Sequence, residues 1–352
     1  MRIEEADKNF AVNSSVQRDG LTFFDIEQAP FCVHGVKKLD GRYRRLPEEI
    51  AKRTSAGVHL LHANTAGGRV RFATDSPYIV IHYETDFVSR MPHFPLTGCA
   101  GFDLHAGSRY LGTYVPPMEL ADGYDSVIDL PEEYRDGKVH DYTIHFPLYS
   151  DVCSLYIGLQ QGSTLTAAKP YTHALPVVYY GSSITQGGCA SRPGNAYENI
   201  ISLELDCDHL NLGFSGNAKG EDCICEYIAS LPMSVFVCDY DHNAPTLAHL
   251  QATHEKLFLT VREKQPLLPV IFMSRPQPYL NAEEKQRLAV VRTTYENALA
   301  RGDKNVYFLP GNELLNLYAR NTGLVDNCHP NDSGFVSIAF SLMQVLRPIL
   351  EK

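Results

Sequence analysis

The feature that most constrains this chain is a change of hydrophobic period partway along it. From about Gly20 to about Thr172 the period is two. Val70 and Phe72 alternate with Arg69 and Arg71, and Ile79, Ile81 and Tyr83 alternate with Val80, His82 and Glu84. Tyr142, Ile144, Phe146 and Leu148 repeat the pattern, as do Leu155, Ile157 and Leu159. Turn pairs separate these runs: Asp40-Gly41, Gly67-Gly68, Ser76-Pro77, Ala106-Gly107, Asp122-Gly123 and Asp136-Gly137. Short alternating strands at this spacing predict an antiparallel β-sandwich or jelly roll, with one short helix near Leu46–Arg53 opened by Pro47.

After about His173 short continuous apolar runs alternate with segments of helical period. The runs are Val177–Tyr180, His209–Leu212, Ser234–Cys238, Pro269–Met273 and Val306–Leu309. Between and after them lie Asn195–Leu205, Lys219–Ser230, Thr246–Glu263, Asn281–Ala300 and a last helix from Asn331 to about Leu346. Strands of that kind are buried on both faces, which predicts a three-layer α/β/α unit on a parallel five-stranded sheet. The simplest strand order is flavodoxin-like, 2-1-3-4-5, with ligands outside the carboxyl ends of the strands. At 352 residues the chain exceeds what one core usually serves, giving an all-β domain over 1–172 and an α/β domain over 173–352.

Lys and Arg number 31 against 41 Asp and Glu, for a net charge of −10, which disfavours nucleic acid and anionic membrane surfaces. No uninterrupted apolar run approaches the ~18 residues of a membrane span, and the first fifteen residues lack the apolar stretch of a secretory signal. Nine scattered cysteines without a CxxC pair read as reduced, buried thiols in a cytoplasmic protein. No cofactor and no metal site is expected.

The chemistry-bearing positions fall just after strand ends. Strand one runs into Gly181-Ser182-Ser183-Ile184-Thr185, a strand-to-helix turn that exposes a hydroxyl and aims N–H groups at developing negative charge. Strand two leads to Gly213-Phe214-Ser215-Gly216, and strand three to Asp239-Tyr240-Asp241-His242-Asn243, whose amide suits either an oxyanion or a helix cap. Asp326-Asn327-Cys328-His329-Pro330 precedes the last helix. Asp and His three apart let a carboxylate hold Nδ1–H and free Nε2 as a base. The long segment 86–101 carries Arg90, His93 and Phe94, a set that suits a lid over a site or a stiffened surface connection.

With these blocks in view, the chain from about Pro176 onward resembles the SGNH/GDSL hydrolase superfamily of serine esterases. Its first block, Gly-Asp-Ser-Ile-Thr in many members, aligns with Gly181–Thr185, and its last, Asp-x-x-His-Pro, with Asp326–Pro330. The resemblance implies Ser183 as nucleophile, His329 as base, Asp326 as its partner, and an oxyanion hole of Ser183, Gly216 and Asn243. Two positions depart from the pattern: Ser182 stands where the family has aspartate, and Asp241 where its third block has glycine. Asp241, His242, Arg90 and His93 are candidate substrate contacts. A β-domain ahead of the hydrolase is similar to carbohydrate acetyl esterases, implying removal of O-acetyl groups from a small or oligosaccharide ester. A lysophospholipase- or thioesterase-like hydrolase, or a sugar-binding protein on an inactive scaffold, are the alternatives. Oligomeric state, including a homo-oligomer, is left open.

Overall fold

The computed structural model describes residues 3–8, 12, 15–316 and 318–352. In the N-terminal half two antiparallel sheets share one core. One sheet orders Leu21–Asp25, Ser154–Gln160, Tyr78–Glu84 and Gly123–Asp129. The other orders Leu165–Thr166, Arg69–Thr74, His140–His145, Phe102–Ala106 and Arg109–Tyr114, with Cys32–His34 also paired to Arg69–Thr74. The alternating residues do what their period requires: Ile79, Ile81, Tyr83, Leu155, Ile157, Val70, Phe72, Tyr142 and Ile144 all enter a common hydrophobic cluster. Asp40-Gly41 closes the two-residue hairpin between Lys37–Leu39 and Arg42–Arg44, with both turn residues at positive φ (50° and 79°).

Two local readings change. Instead of one short helix there are two, Glu48–Thr54 and Ala56–Leu61. Ser55, extended at φ −169°, ends the first and caps the second by accepting from Val58 N–H. Arg69 and Arg71, which alternate with apolar residues as an outward face would, lie in a strand buried along its whole length. The C-terminal half covers that face. The Arg69 guanidinium meets Asp208, the Tyr171 hydroxyl and the carbonyls of Gly67 and His209.

The C-terminal half is a parallel sheet in the order Cys207–Gly213, His173–Gly181, Val235–Asp239, Val270–Met273, Val306–Leu309. In chain order this is 2-1-3-4-5, as the sequence predicts. Odd-numbered residues (Val177, Tyr179, Val235, Val237, Ile271) face the helices Tyr197–Leu205 and Asp332–Leu350. Even-numbered ones (Val178, Tyr180, Phe236, Cys238, Phe272) face Asp222–Ser230, Leu247–Lys264 and Ala282–Ala300. Asp332–Leu350 is, by length and composition, apolar enough to cross a membrane. Phe335, Ile338, Ala339, Leu342 and Leu346 are buried in the core. The first hydrophobic cluster runs without a break from the β-rich half into this side of the parallel sheet, so the two halves share a core.

Candidate active site

Strand His173–Gly181 ends against Val235–Asp239, in register Gly181 to Asp239. Gly181 has no room for a side chain, because a Cβ would lie 2.3 Å from Thr185 Oγ1 and 2.4 Å from Asp239 O. The chain therefore turns tightly. Ser182 N–H donates to Asp239 O (2.9 Å), and Ser182 Oγ accepts from Ile184 N–H (3.2 Å). Ser182 is thus a brace of the turn. Thr185 Oγ1 donates to Asp239 Oδ2 (3.1 Å), and Gly188 N–H to Ser183 O (2.8 Å).

Beyond this turn Ser183 Oγ lies 2.9 Å from His329 Nε2. His329 Nδ1 lies 2.8 Å from Asp326 Oδ2, while Asp326 Oδ1 accepts from the backbone N–H groups of His329 (2.8 Å) and Cys328 (3.1 Å). Partial burial would raise the Asp326 pKa, but the N–H groups of the His329 backbone and ring outweigh it and hold the carboxyl below its usual range. It is therefore an anion wherever an imidazole titrates. The last helix is capped by Asn331, which accepts from Gly334 N–H (3.2 Å), anchoring the loop that carries Asp326 and His329.

Gly216 sits at φ +67°, and a Cβ there would meet nothing within 4 Å, so glycine serves backbone conformation beside open space. Asn243 donates through Nδ2 to Phe214 O (3.0 Å), which fixes the third strand end to the Gly216 loop and leaves its second amide hydrogen. It does not cap the next helix; Thr246 does, accepting from His249 N–H (3.1 Å).

The remaining predicted contacts divide. His93 is at the site: its Nε2 is 3.8 Å from Asp326 Oδ2 and its ring centroid 5.6 Å from that of His329. One expectation needs correction. Asp241 is buried and engaged, accepting from Ser274 Oγ (2.7 Å) and Arg275 N–H (3.1 Å), so it buttresses the sheet edge and is closed to substrate. Arg90 donates to the carbonyls of Met118 and Leu120 in its own half. His242 has Nδ1 3.0 Å from Asp241 Oδ2 but off hydrogen-bonding geometry, and both its ring nitrogens lack a partner.

Several contributors carry no legible signal. Tyr149, from the β-rich half, donates to Ser183 O (3.3 Å) and packs edge-on against Phe94. Gln186 is fully buried and joins both halves. Its Nε2 donates to Asn64 Oδ1 (3.1 Å) and Leu148 O (3.4 Å), and its Oε1 accepts from Ser215 N–H (2.9 Å). The buried Arg45 guanidinium donates to the carbonyls of Asn64 and Gly213 and lies 4.7 Å from the Phe214 ring; burial lowers its pKa to about 9.

Among the described residues, two groups of side chains cluster as metal ligands do: Asp103–His105–His145 and His93–Cys189–His329. The first already holds a cation, since Arg192 Nη1 donates to Asp103 Oδ2 (2.6 Å) and lies 3.0 Å from His105 Nε2.

Ser183, His329 and Asp326 thus lie hydrogen-bonded in series at the carboxyl edge of the parallel sheet, an arrangement suited to nucleophilic chemistry. The chain belongs to the SGNH/GDSL hydrolases and is an esterase. The model of the GDSL-like lipase/acylhydrolase family matches 174–347, and that of the N-terminus of SGNH-hydrolase-type esterases matches 21–165. No curated protein matches the chain in sequence. Among solved structures, a protein described as a GDSL-like lipase from Bacteroides ovatus is 24% identical with a TM-score of 0.82, covering 94% of this chain and 98% of its own. A salicylyl-acyltransferase from a tetracycline biosynthetic pathway is 20% identical (TM-score 0.76; 95% and 98% covered). An acetyl xylan esterase from the rumen bacterium Butyrivibrio proteoclasticus is 14% identical (TM-score 0.60; 94% and 99% covered). These likenesses concern the fold.

Proposed function

We propose that the chain removes short acyl groups, O-acetyl above all, from carbohydrate through an acyl-enzyme on Ser183. The observation that carries the reading is the unbroken chain Ser183 Oγ–His329 Nε2 (2.9 Å) and His329 Nδ1–Asp326 Oδ2 (2.8 Å). His329 takes the Ser183 proton as Oγ attacks the ester carbonyl, and Asp326 orients the ring and stabilises the imidazolium. The oxyanion is received by the N–H groups of Ser183 and Gly216 and the remaining Asn243 amide hydrogen. His329 then protonates the leaving sugar hydroxyl and activates water to release the acid.

The carbohydrate substrate is supported by the two-part architecture shared with the acetyl xylan esterase. The nine free cysteines support a reducing, cytoplasmic setting and so a small or oligosaccharide ester. The test is acetate release from a panel of acetylated oligosaccharides, with an acyl-length series of p-nitrophenyl esters beside it. Acetyl esters should be fastest and Ser183→Ala inert while folded. Faster cleavage of long-chain esters or thioesters would favour the lipase-like alternative, and wild-type rates in Ser183→Ala would end the nucleophile assignment.

A further inference from the structure

The groups around the Ser183–His329 pair form a second constellation. His93, Cys189 and His329 each bring one donor atom to within 4.8 Å of the other two. They arrive from three places: the 86–101 segment of the β-rich half, the turn after Ser183, and the loop before the last helix. Asp326 holds His329 by Nδ1, so the nitrogen with an available lone pair is Nε2. A carboxylate on the far nitrogen is also what orients a histidine metal ligand and raises its donor strength. The device that makes His329 a base therefore makes it a ligand. His93 lies against the same carboxylate, 3.8 Å from Asp326 Oδ2, and its ring is tilted by 48° to that of His329. Two imidazoles and a thiol suit borderline-soft divalent ions and not Mg²⁺ or Ca²⁺, which want oxygen.

We propose that His93, Cys189 and His329 form a binding site for a thiophilic divalent cation such as Zn²⁺, and that the bound ion shuts off the esterase by taking His329 Nε2 away from Ser183. The shut-off rests on the function proposed above; the binding does not. On binding, the ion accepts lone pairs from two neutral imidazoles and from the Cys189 sulfur, whose proton leaves to solvent. No electron is transferred, and Ser183 keeps its proton for want of an acceptor.

The test uses Co²⁺ as a spectroscopic probe on the full-length Ser183→Ala protein after chelator treatment, and Zn²⁺ as an inhibitor of the wild type. A thiolate-to-cobalt absorption band should appear at one ion per chain. It should vanish in Cys189→Ala and in Cys189→Gly, the latter suited to the φ of +76° at this position. It should persist in Cys328→Ser, and His93→Ala should weaken Co²⁺ binding by about tenfold or more. With each rate taken relative to that variant's own chelator-treated value, half-inhibition by Zn²⁺ should require about tenfold more ion in Cys189→Gly than in wild type. A missing band, a band lost only in Cys328→Ser, or unchanged Zn²⁺ sensitivity in both Cys189→Gly and His93→Ala overturns the proposal. The cobalt band reads the site whether or not Ser183 is the nucleophile, so the two readings fail separately.

Discussion

Asn243 offers one amide hydrogen to Phe214 and has one left, so under the proposed mechanism its removal subtracts an oxyanion donor and a loop tether together. Asn243→Ala should lower kcat by about 10²–10³-fold with a smaller change in KM; a change confined to KM would count against the donor role. Asp326→Asn should lower kcat on the order of 10³–10⁴-fold, because an amide oxygen and nitrogen no longer dictate the imidazole tautomer. Gly216→Ala should cost about 1 kcal/mol in stability from φ alone, as its Cβ meets no neighbour. Ser183, Asp326 and His329 were legible because each sits in a short contiguous block with its turn residues. Tyr149 and Gln186 were not, because what makes them matter is a carbonyl or amide far away in the chain. Asp241 misled for the same reason. Its partners Ser274 and Arg275 lie more than thirty residues on, and they turn a strand-end carboxylate into a buttress.

At the scale of elements, the strands and helices of the parallel sheet were readable because both faces are buried and helices separate the strands. The exception is Arg69–Thr74, where alternating arginines imitate a solvent face; only the packed C-terminal half reveals them as interior cations. A related pairing joins strand Phe102–Ala106 to the turn before Tyr197–Leu205. Asp103, fully buried, accepts from Arg192, from Gly194 N–H (2.7 Å) and from His145. Burial would raise the Asp103 pKa, but its imidazole partners dominate and hold it well below the carboxylate range. Arg192→Met strands this carboxylate and should cost about 3 kcal/mol in chemical denaturation. A loss under 1 kcal/mol would mean that the two histidines suffice.

For the whole molecule, stability and pH are linked through a carboxyl far from solvent. Glu198 is fully buried, with Oε1 accepting from Asn211 Nδ2 and Oε2 lacking a partner. Burial, with Asp239 adding to it, pushes its pKa well above the usual value, so the folded chain keeps a proton the unfolded chain releases. Stability from this group is therefore complete below the unfolded carboxyl range and declines as pH rises toward the folded value. Glu198→Gln should remove that decline, so that its Tm gains on the wild type between pH 5 and pH 8; parallel Tm–pH curves would show that Glu198 is ionised in the fold. The division into two halves was visible in the change of period, but their shared core was not, since no local pattern records which faces meet. That shared core bears on inheritance. A chimaera joining a β-rich half that lacks their equivalents to residues 173–352 would leave the Ser183 turn without Tyr149 behind it, Gln186 without Asn64, and Gly213 without Arg45. Recombination at this boundary should therefore lower esterase activity unless the incoming half brings residues equivalent to Tyr149, Asn64 and Arg45, which activity assays on folded chimaeras would check.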